Sequence, residues 1–358
     1  MDFAGLEFDT VEDDLFDELL FSAKRLILDN VYMESCFFRM FVIASLRVVS
    51  SAGVGVVSTS AAPRMRMRTS VEPPSADYSH LLHLHVNNCN SLTDEFVSYF
   101  SNAFPYLESL LMSDCEQLSE EAVVCIATAP FGQTLKALDI SYNMATADCL
   151  SYLTNLVAIE QLNLSNIKCS SSFRFIVSSP HLRELWLSSV YVLTDGDIRY
   201  ILSGGHIPGN SVFKKLTDLH MTESVISSQC LQDLVQENCP GENDMLNLRK
   251  LDLSWTNENL TECAIKLLIS KCGNLISLKL LSTDSGEETF QEIASTCLQL
   301  EVLHFSRCAS EPLRLQILTS LTHLIDLHLG WAVFSPDEIL GYVENCEATA
   351  ALKEVLFV

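Results

Sequence analysis

The sequence predicts an α/β solenoid, in which short parallel strands line the concave face of a horseshoe and helical segments cover its convex face. Three observations predict it. An aliphatic phrase recurs along most of the chain, and each copy is followed by a polar turn and then by apolar residues at helical spacing. The chain is also long, with 358 residues and 48% apolar side chains, which is more than one radial core organises; a repeat array instead grows lengthwise.

The phrase, Leu-x-x-Leu-x-Leu-x-x-Cys in its first copies, opens at Leu81 (then Leu84, Val86, Cys89) and at Leu107 (then Leu110, Met112, Cys115). It returns at Leu135, Ile159, Leu182, Leu216, Leu248, Leu275, Leu300, Leu324 and Leu352, at intervals of 26, 28, 24, 23, 34, 32, 27, 25, 24 and 28 residues. All 33 residues at its first, fourth and sixth positions are apolar; at the chain's own apolar frequency, that outcome has a probability of roughly 10⁻¹¹. In a strand the fourth and sixth residues point to one side, and the third, fifth and seventh point to the other. One face is therefore core and the other open. Helical spacing follows in Phe96, Val97 and Phe100, and in Ala264, Leu267 and Leu268. Start signals precede the helices: Thr93 before Asp94 and Glu95, Ser285 three residues before Glu288, and Ser335 before Pro336 and Glu338. A single unit leaves its apolar face bare, so neighbours must stack. Eleven strands about 4.8 Å apart give an inner arc on the order of 50 Å.

The stretches CNSLTDEFVSYFSNAFPYLESLLMSDC, SVYVLTDGDIRYIL and CAIKLLISKCGNLISLKLLST resemble the cysteine-containing leucine-rich repeats of F-box/LRR (ribonuclease-inhibitor-like) proteins. The resemblance covers residues 79–358. The post-strand Cys is kept at Cys89, Cys115 and Cys308 and replaced at Asn143, Ile167, Val190, Ser224, Thr256, Thr283 and Ala332; a pre-strand Cys stands at Cys272 and Cys297. The resemblance implies a recognition protein, most plausibly the substrate receptor of an SCF-type ubiquitin ligase, with an F-box that contacts the SCF adaptor subunit. The matching residues are Leu15, Leu19 and Leu20, although Phe16 replaces the box's proline and no Trp precedes Trp186. The alternative is a regulatory or inhibitory binder that works without a ligase. The organisation expected is an acidic region over 1–58, either a degenerate F-box or a helical cap, then a Ser/Pro-containing linker with Arg64, Arg66 and Arg68 over 59–78, then about eleven repeats over 79–358.

Composition narrows the function further. Forty-six acids against 22 bases give a net charge of −24, a field that repels nucleic-acid phosphate and anionic lipid. Segment 36–58 is apolar but contains Arg39 and Arg47 and reads as part of a soluble core rather than a membrane span. Thirteen scattered cysteines without a CxxC pair read as reduced packing thiols of a cytosolic or nuclear protein. The first 20 residues carry eight acids and no base, unlike a cleaved leader. No nucleophile elbow, phosphate loop or zinc motif appears, so neither an enzyme nor a cofactor is expected.

The expected site is the open face. Its fifth column reads His85, Leu111, Asp139, Asn163, Trp186, His220, Asp252, Lys279, His304, His328 and Leu356, and its eighth position carries Asp114, Tyr142, Glu223, Trp255, Arg307 and Trp331. Tryptophan is costly to leave in water and frequent at binding hot spots. The expected protein-binding residues are therefore Asp139, Tyr142, Glu184, Trp186, Asp218, His220, Asp252 and Trp255, with the acids complementary to a basic segment of the partner. His304 and His328, like His83 and His85, share a face but lack a third metal ligand. The two longest intervals place insertions over 204–215 and 239–247, expected to form a lip beside Trp186 and Trp255.

Overall fold

A computed structural model describes residues 25–27, 81–90, 92–143, 149–168, 173–205, 207, 209–256, 260–306, 314–330, 336–345 and 354–357. Leu15, Leu19, Leu20, the 59–78 linker, Arg307, Cys308, Trp331 and Ser335 lie outside the described residues. Contacts group the chain into two units, 1–158 and 159–358, each an α/β leucine-rich-repeat solenoid.

In the first unit, β1 (Arg25–Ile27), β2 (His83–His85), β3 (Ser109–Leu111) and β4 (Ala137–Asp139) run parallel in chain order, with Leu26, Leu84, Leu110 and Leu138 in register. The helices Asp94–Ala103 and Glu120–Thr128 pack on each other, and the second packs on a 3₁₀ turn, Cys149–Asn155. In the second unit the strands are β5 (Gln161–Asn163), β6 (Glu184–Trp186), β7 (Asp218–His220), β8 (Lys250–Asp252), β9 (Ser277–Leu280), β10 (Val302–Ser306), β11 (Asp326–Gly330) and β12 (Glu354–Phe357). They too pair parallel, each with the next. Beside them lie the helices Asp195–Leu202, Ser228–Asn238, Glu262–Ile269, Glu287–Thr296 and Pro336–Asn345, together with 3₁₀ turns Arg174–Ser178 and Leu315–Ser320.

The fourth-position leucines from Leu84 to Leu327 are at most 2% exposed, each worth about 1.5–3 kcal/mol of burial. Where the phrase interval falls to 23 or 24 residues, at the repeats opening on Leu135, Ile159 and Leu300, the segment that returns from one strand to the next is 3₁₀ rather than α. The 3₁₀ form rises about 2.0 Å per residue against 1.5 Å, so fewer residues span the same return path. β1 is a strand that the phrase count did not include.

Three local devices repeat. The backbone N–H of the sixth position bonds the fifth-position carbonyl of the next repeat, as from Leu187 to His220 (2.9 Å) and from Met221 to Asp252 (2.9 Å). Seventh-position side chains form a second ladder: Ser165 Oγ accepts from Ser188 N, Ser188 Oγ from Thr222 N, and Ser254 Oγ from Leu281 N. The eighth position then turns left-handed. Asn88, Asp114, Tyr142, Asn166, Ser189, Glu223, Trp255 and Ser282 hold φ of 52–62°, and among the described residues no other non-glycine has positive φ.

The Leu-Thr-Asp/Glu motif has a cross-repeat role. Threonine stands at the helix N-cap, and the acid behind it reaches the next repeat's cap. Asp94 accepts from Ser119 N and Oγ, Asp195 from Ser227 N and Oγ, and Glu262 from Gly286 N (2.9 Å) and Thr289 N (3.0 Å). This corrects the expected start at Ser285. Gly286 is the N-cap, where the Glu262 carboxylate takes the capping bonds and leaves little room for a Cβ, which would come within 2.9 Å of it; Ser285 is instead buried against Thr283 Oγ1 at 2.8 Å.

Of the nine described cysteines, seven are buried, as expected of packing thiols; Cys125 is half-buried and Cys263 exposed. Cys115 Sγ donates to Val86 O (3.1 Å), and at the same position of the next repeat Asn143 donates to Met112 O (2.6 Å). Burial pushes the thiols of Cys230 and Cys297 up to about 12.

Candidate functional site

The parallel register brings Trp186, His220, Asp252, Lys279, His304 and His328 into one row across β6–β11, with Glu184, Asp218 and Lys250 in the adjacent third-position row. Trp186 and His220 stack, with centroids 5.3 Å apart and planes 13° from parallel. Each ring thus shields part of the other while both stay half-buried. Burial lowers the pKa of His220; Asp252 and Asp218 pull it back, and Lys279 and Lys250 add to the lowering. Burial thus favours the neutral form of the imidazole beside Trp186. Burial raises the pKa of Glu184, opposed by the hydrogen bond from Gln161 (2.9 Å) and reinforced by Asp218.

The acids differ in how free they are. Asp218, expected on the open face, is 4% exposed and pairs with Lys250 Nζ at 3.2 Å, while the lysine side chain stays 54% exposed. Its charge is already answered, so this corrects the expectation that it faces a partner. Asp252 accepts from Ser254 N (3.0 Å), and in the first unit Asp139 accepts from Ser141 N (2.9 Å) and Oγ (2.6 Å). Asn163 does the same for Ser165 N (3.1 Å). A fifth-position Asp or Asn therefore closes the turn that leads into the left-handed residue, a local task that the pattern of exposed columns did not reveal.

Two aromatic residues occupy left-handed positions in the open. Tyr142, in the first unit, is 52% exposed and Trp255, in the second, 51%. The turns after β6 and β7 add Tyr191, Val192 and Val225, all exposed. Sequence reasoning missed these three residues. The available signal was Tyr-Val in a turn where the first two repeats carry Asn90-Ser91 and Glu116-Gln117. Between them and Trp255 lies Glu223, whose Oε2 accepts from Tyr191 OH (2.6 Å) and Ser189 Oγ (3.0 Å). The strand ends of three consecutive repeats thus carry an apolar rim with one carboxylate set in it.

The 204–215 and 239–247 insertions lie elsewhere. Each joins a helix to the start of a strand, so they flank the N-terminal ends of β7 and β8, tied together by Asn247 Nδ2 donating to Lys214 O (2.6 Å). Trp255 follows the C-terminal end of β8. The expected lip over it does not form, because strand polarity puts the insertions on the opposite edge. His304 Nε2 lies 2.9 Å from Asp326 Oδ2 and its ring meets His328 edge-on; among the described residues, no group of three or more ligands is placed to hold a metal ion. No helix among them is long and apolar enough to cross a membrane.

No protein-family model matches the chain, and no curated protein does. Among solved structures it is similar to a chain of the yeast Rad7–Elc1 complex, with a TM-score of 0.54 and 16% identity over 77% of this chain and 75% of that one. An internalin from Listeria monocytogenes overlays more loosely, with a TM-score of 0.44 and 14% identity over 95% of this chain and 75% of that one. The first likeness is one of fold.

Proposed function

We propose that the chain is a protein-recognition scaffold that works by binding rather than by bond chemistry. The open face of β6–β8 and its C-terminal rim grip a partner segment that couples an apolar anchor to a Lys or Arg. The observation that carries this reading is the half-exposed Trp255 beside exposed Tyr191, Val192 and Val225. Apolar groups collected on one rim, against the cost of leaving them in water, fit a surface that is covered in use. Glu184 and Glu223 supply the complementary charge, and the neutral His220 adds no repulsion toward a cation.

The finer reading is a substrate receptor of an SCF-type ubiquitin ligase. In it the open face holds the cargo, and the segment with Leu15, Leu19 and Leu20 meets the adaptor subunit. Its support is the resemblance of the repeats, together with a fold likeness to a chain that stands in a two-protein complex. Co-purification of the full chain with purified SCF adaptor tests it. A complex that is lost on Leu19→Asp with Leu20→Asp is the expected result. No complex at any salt concentration refutes the receptor reading and leaves a ligase-independent binder.

A further inference from the structure

We infer that the groove along the N-terminal ends of β6–β10 is a second binding site, built for an extended acidic segment of a protein partner and anchored by Arg183 and Arg249. This inference does not depend on the role of the rim at the opposite strand ends. The groove has a volume of about 720 Å³ and is lined by Arg183, Thr217 and Arg249 together with Asn247, Asn274 and Gln299.

Charge accounting singles it out. In a chain of 46 acids and 22 bases, a cation should find a carboxylate easily, and the other arginines with described side chains do find partners. Arg174 lies over the Tyr200 ring, Arg199 pairs with Asp233 and Glu237, and Arg314 with Glu287. Among the described residues, Arg183 and Arg249 have no side-chain hydrogen-bond or ion-pair partner, and both open into this one groove. Their backbones are fixed: Arg183 O accepts from Thr217 N and Asp218 N, and Arg249 O from Ile276 N and Ser277 N. Two guanidinium groups, each able to take a carboxylate through paired donors, are thus presented from rigid rows.

Geometry gives the ligand its form. Arg183 and Arg249 start from strands two apart, about 10 Å at the usual strand spacing, which a peptide extended in the polyproline II form covers in three residues of about 3.1 Å each, one full turn that returns the side chain to the same face. Acids at positions i and i+3 therefore match the two arginines. The primary amides of Asn274 and Gln299, which have no hydrogen-bond partner among the described residues, continue the groove and suit the polar backbone of such a segment. Glu301 closes the far end with a negative charge, so the acids of the segment belong at the Arg183–Arg249 end, whereas a nucleic-acid backbone would carry its charge along the whole groove and meet Glu301 unfavourably.

The test uses the full chain and a fluorescent eight-residue peptide with Asp at its second and fifth positions, followed by anisotropy at low and physiological salt. The expected result is saturable binding that weakens with salt and disappears when both Asp are replaced by Asn. It should fall about tenfold or more in Arg183→Ala with Arg249→Ala. Lys214→Ala, which removes the same kind of charge outside the groove, should leave it unchanged, and the melting temperatures should match, since both arginines are exposed. Absence of binding, equal binding of the Asn peptide, or full binding by the double variant overturns the inference. So does a rise in affinity when the eight acids from Asp2 to Glu18 are replaced by amides, which would assign the groove to the chain's own N-terminal segment.

Discussion

Replacing Trp255 by Asn separates gripping from packing. Asn88 and Asn166 already occupy the same turn position at φ of 54° and 52°, and Asn tolerates the left-handed region where an aromatic residue is strained by about 1 kcal/mol. A Trp side chain of roughly 250 Å² keeps about half of that from water here, worth about 3 kcal/mol at 25 cal/mol/Å². Asn retains part of that cover, roughly 1 kcal/mol, and relief of the backbone strain offsets another 1 kcal/mol, so the net loss of stability is about 1 kcal/mol. A tryptophan that completes a core would cost about 3–5 kcal/mol. As a central anchor, Trp255 should instead cost at least about 2 kcal/mol of binding, roughly a thirtyfold weakening. Denaturant unfolding measures the first quantity, and quantitative co-purification of one partner with wild-type and Trp255→Asn chains measures the second. A stability loss above about 3 kcal/mol, with binding reduced only in proportion to the unfolded fraction, refutes the gripping role.

Two further outcomes follow from the same structure. Glu262→Gln and Asp195→Ala should each lower stability by about 1–2 kcal/mol in denaturant titration, because each acid caps a helix in the next repeat. Gly286→Ala should mimic the first by displacing the carboxylate, and unchanged midpoints in all three would show that these cross-repeat bonds contribute nothing. Because burial lowers the pKa of His220 from its ordinary 6.5, the folded chain binds fewer protons than the unfolded one as acid is added. Stability is undiminished above pH 6.5 and falls below it until the folded imidazole protonates, with a slope of up to about 1.4 kcal/mol per pH unit. Glu184, held above its ordinary 4.5, acts in the opposite sense, with stability rising as pH falls through its raised value toward 4.5. A pH–stability scan should lose the decline below pH 6.5 in His220→Gln, and an identical decline in the variant would remove His220 as its source.

The rows Trp186–His220–Asp252 and Glu184–Asp218–Lys250 were legible before any coordinates, since alternation along a strand fixes which residues share a face. What those residues do on that face was not. Asp218 and Asp252 both belong to exposed columns by parity, yet one is sealed by a neighbouring lysine and the other closes a turn. Both fates depend on residues 32 and 2 positions away. Tyr191, Val192 and Val225 fall outside the phrase altogether, so their gathering on one rim becomes visible only when consecutive turns are placed side by side. β1 went uncounted for a similar reason. Its phrase, Ala23, Leu26, Leu28 and Val31, begins on a weak apolar residue and precedes the next copy by 58 positions.

The sequence by itself determined the repeat, its parallel register and the buried leucine rows, because a strand's two-residue period and the need to cover an apolar face admit few other arrangements. Only the tertiary structure decided which open-face charges are answered by neighbours, which edge the insertions occupy and where two arginines are left unpaired. These are distances between side chains from different repeats, and an interval in a linear pattern does not carry them.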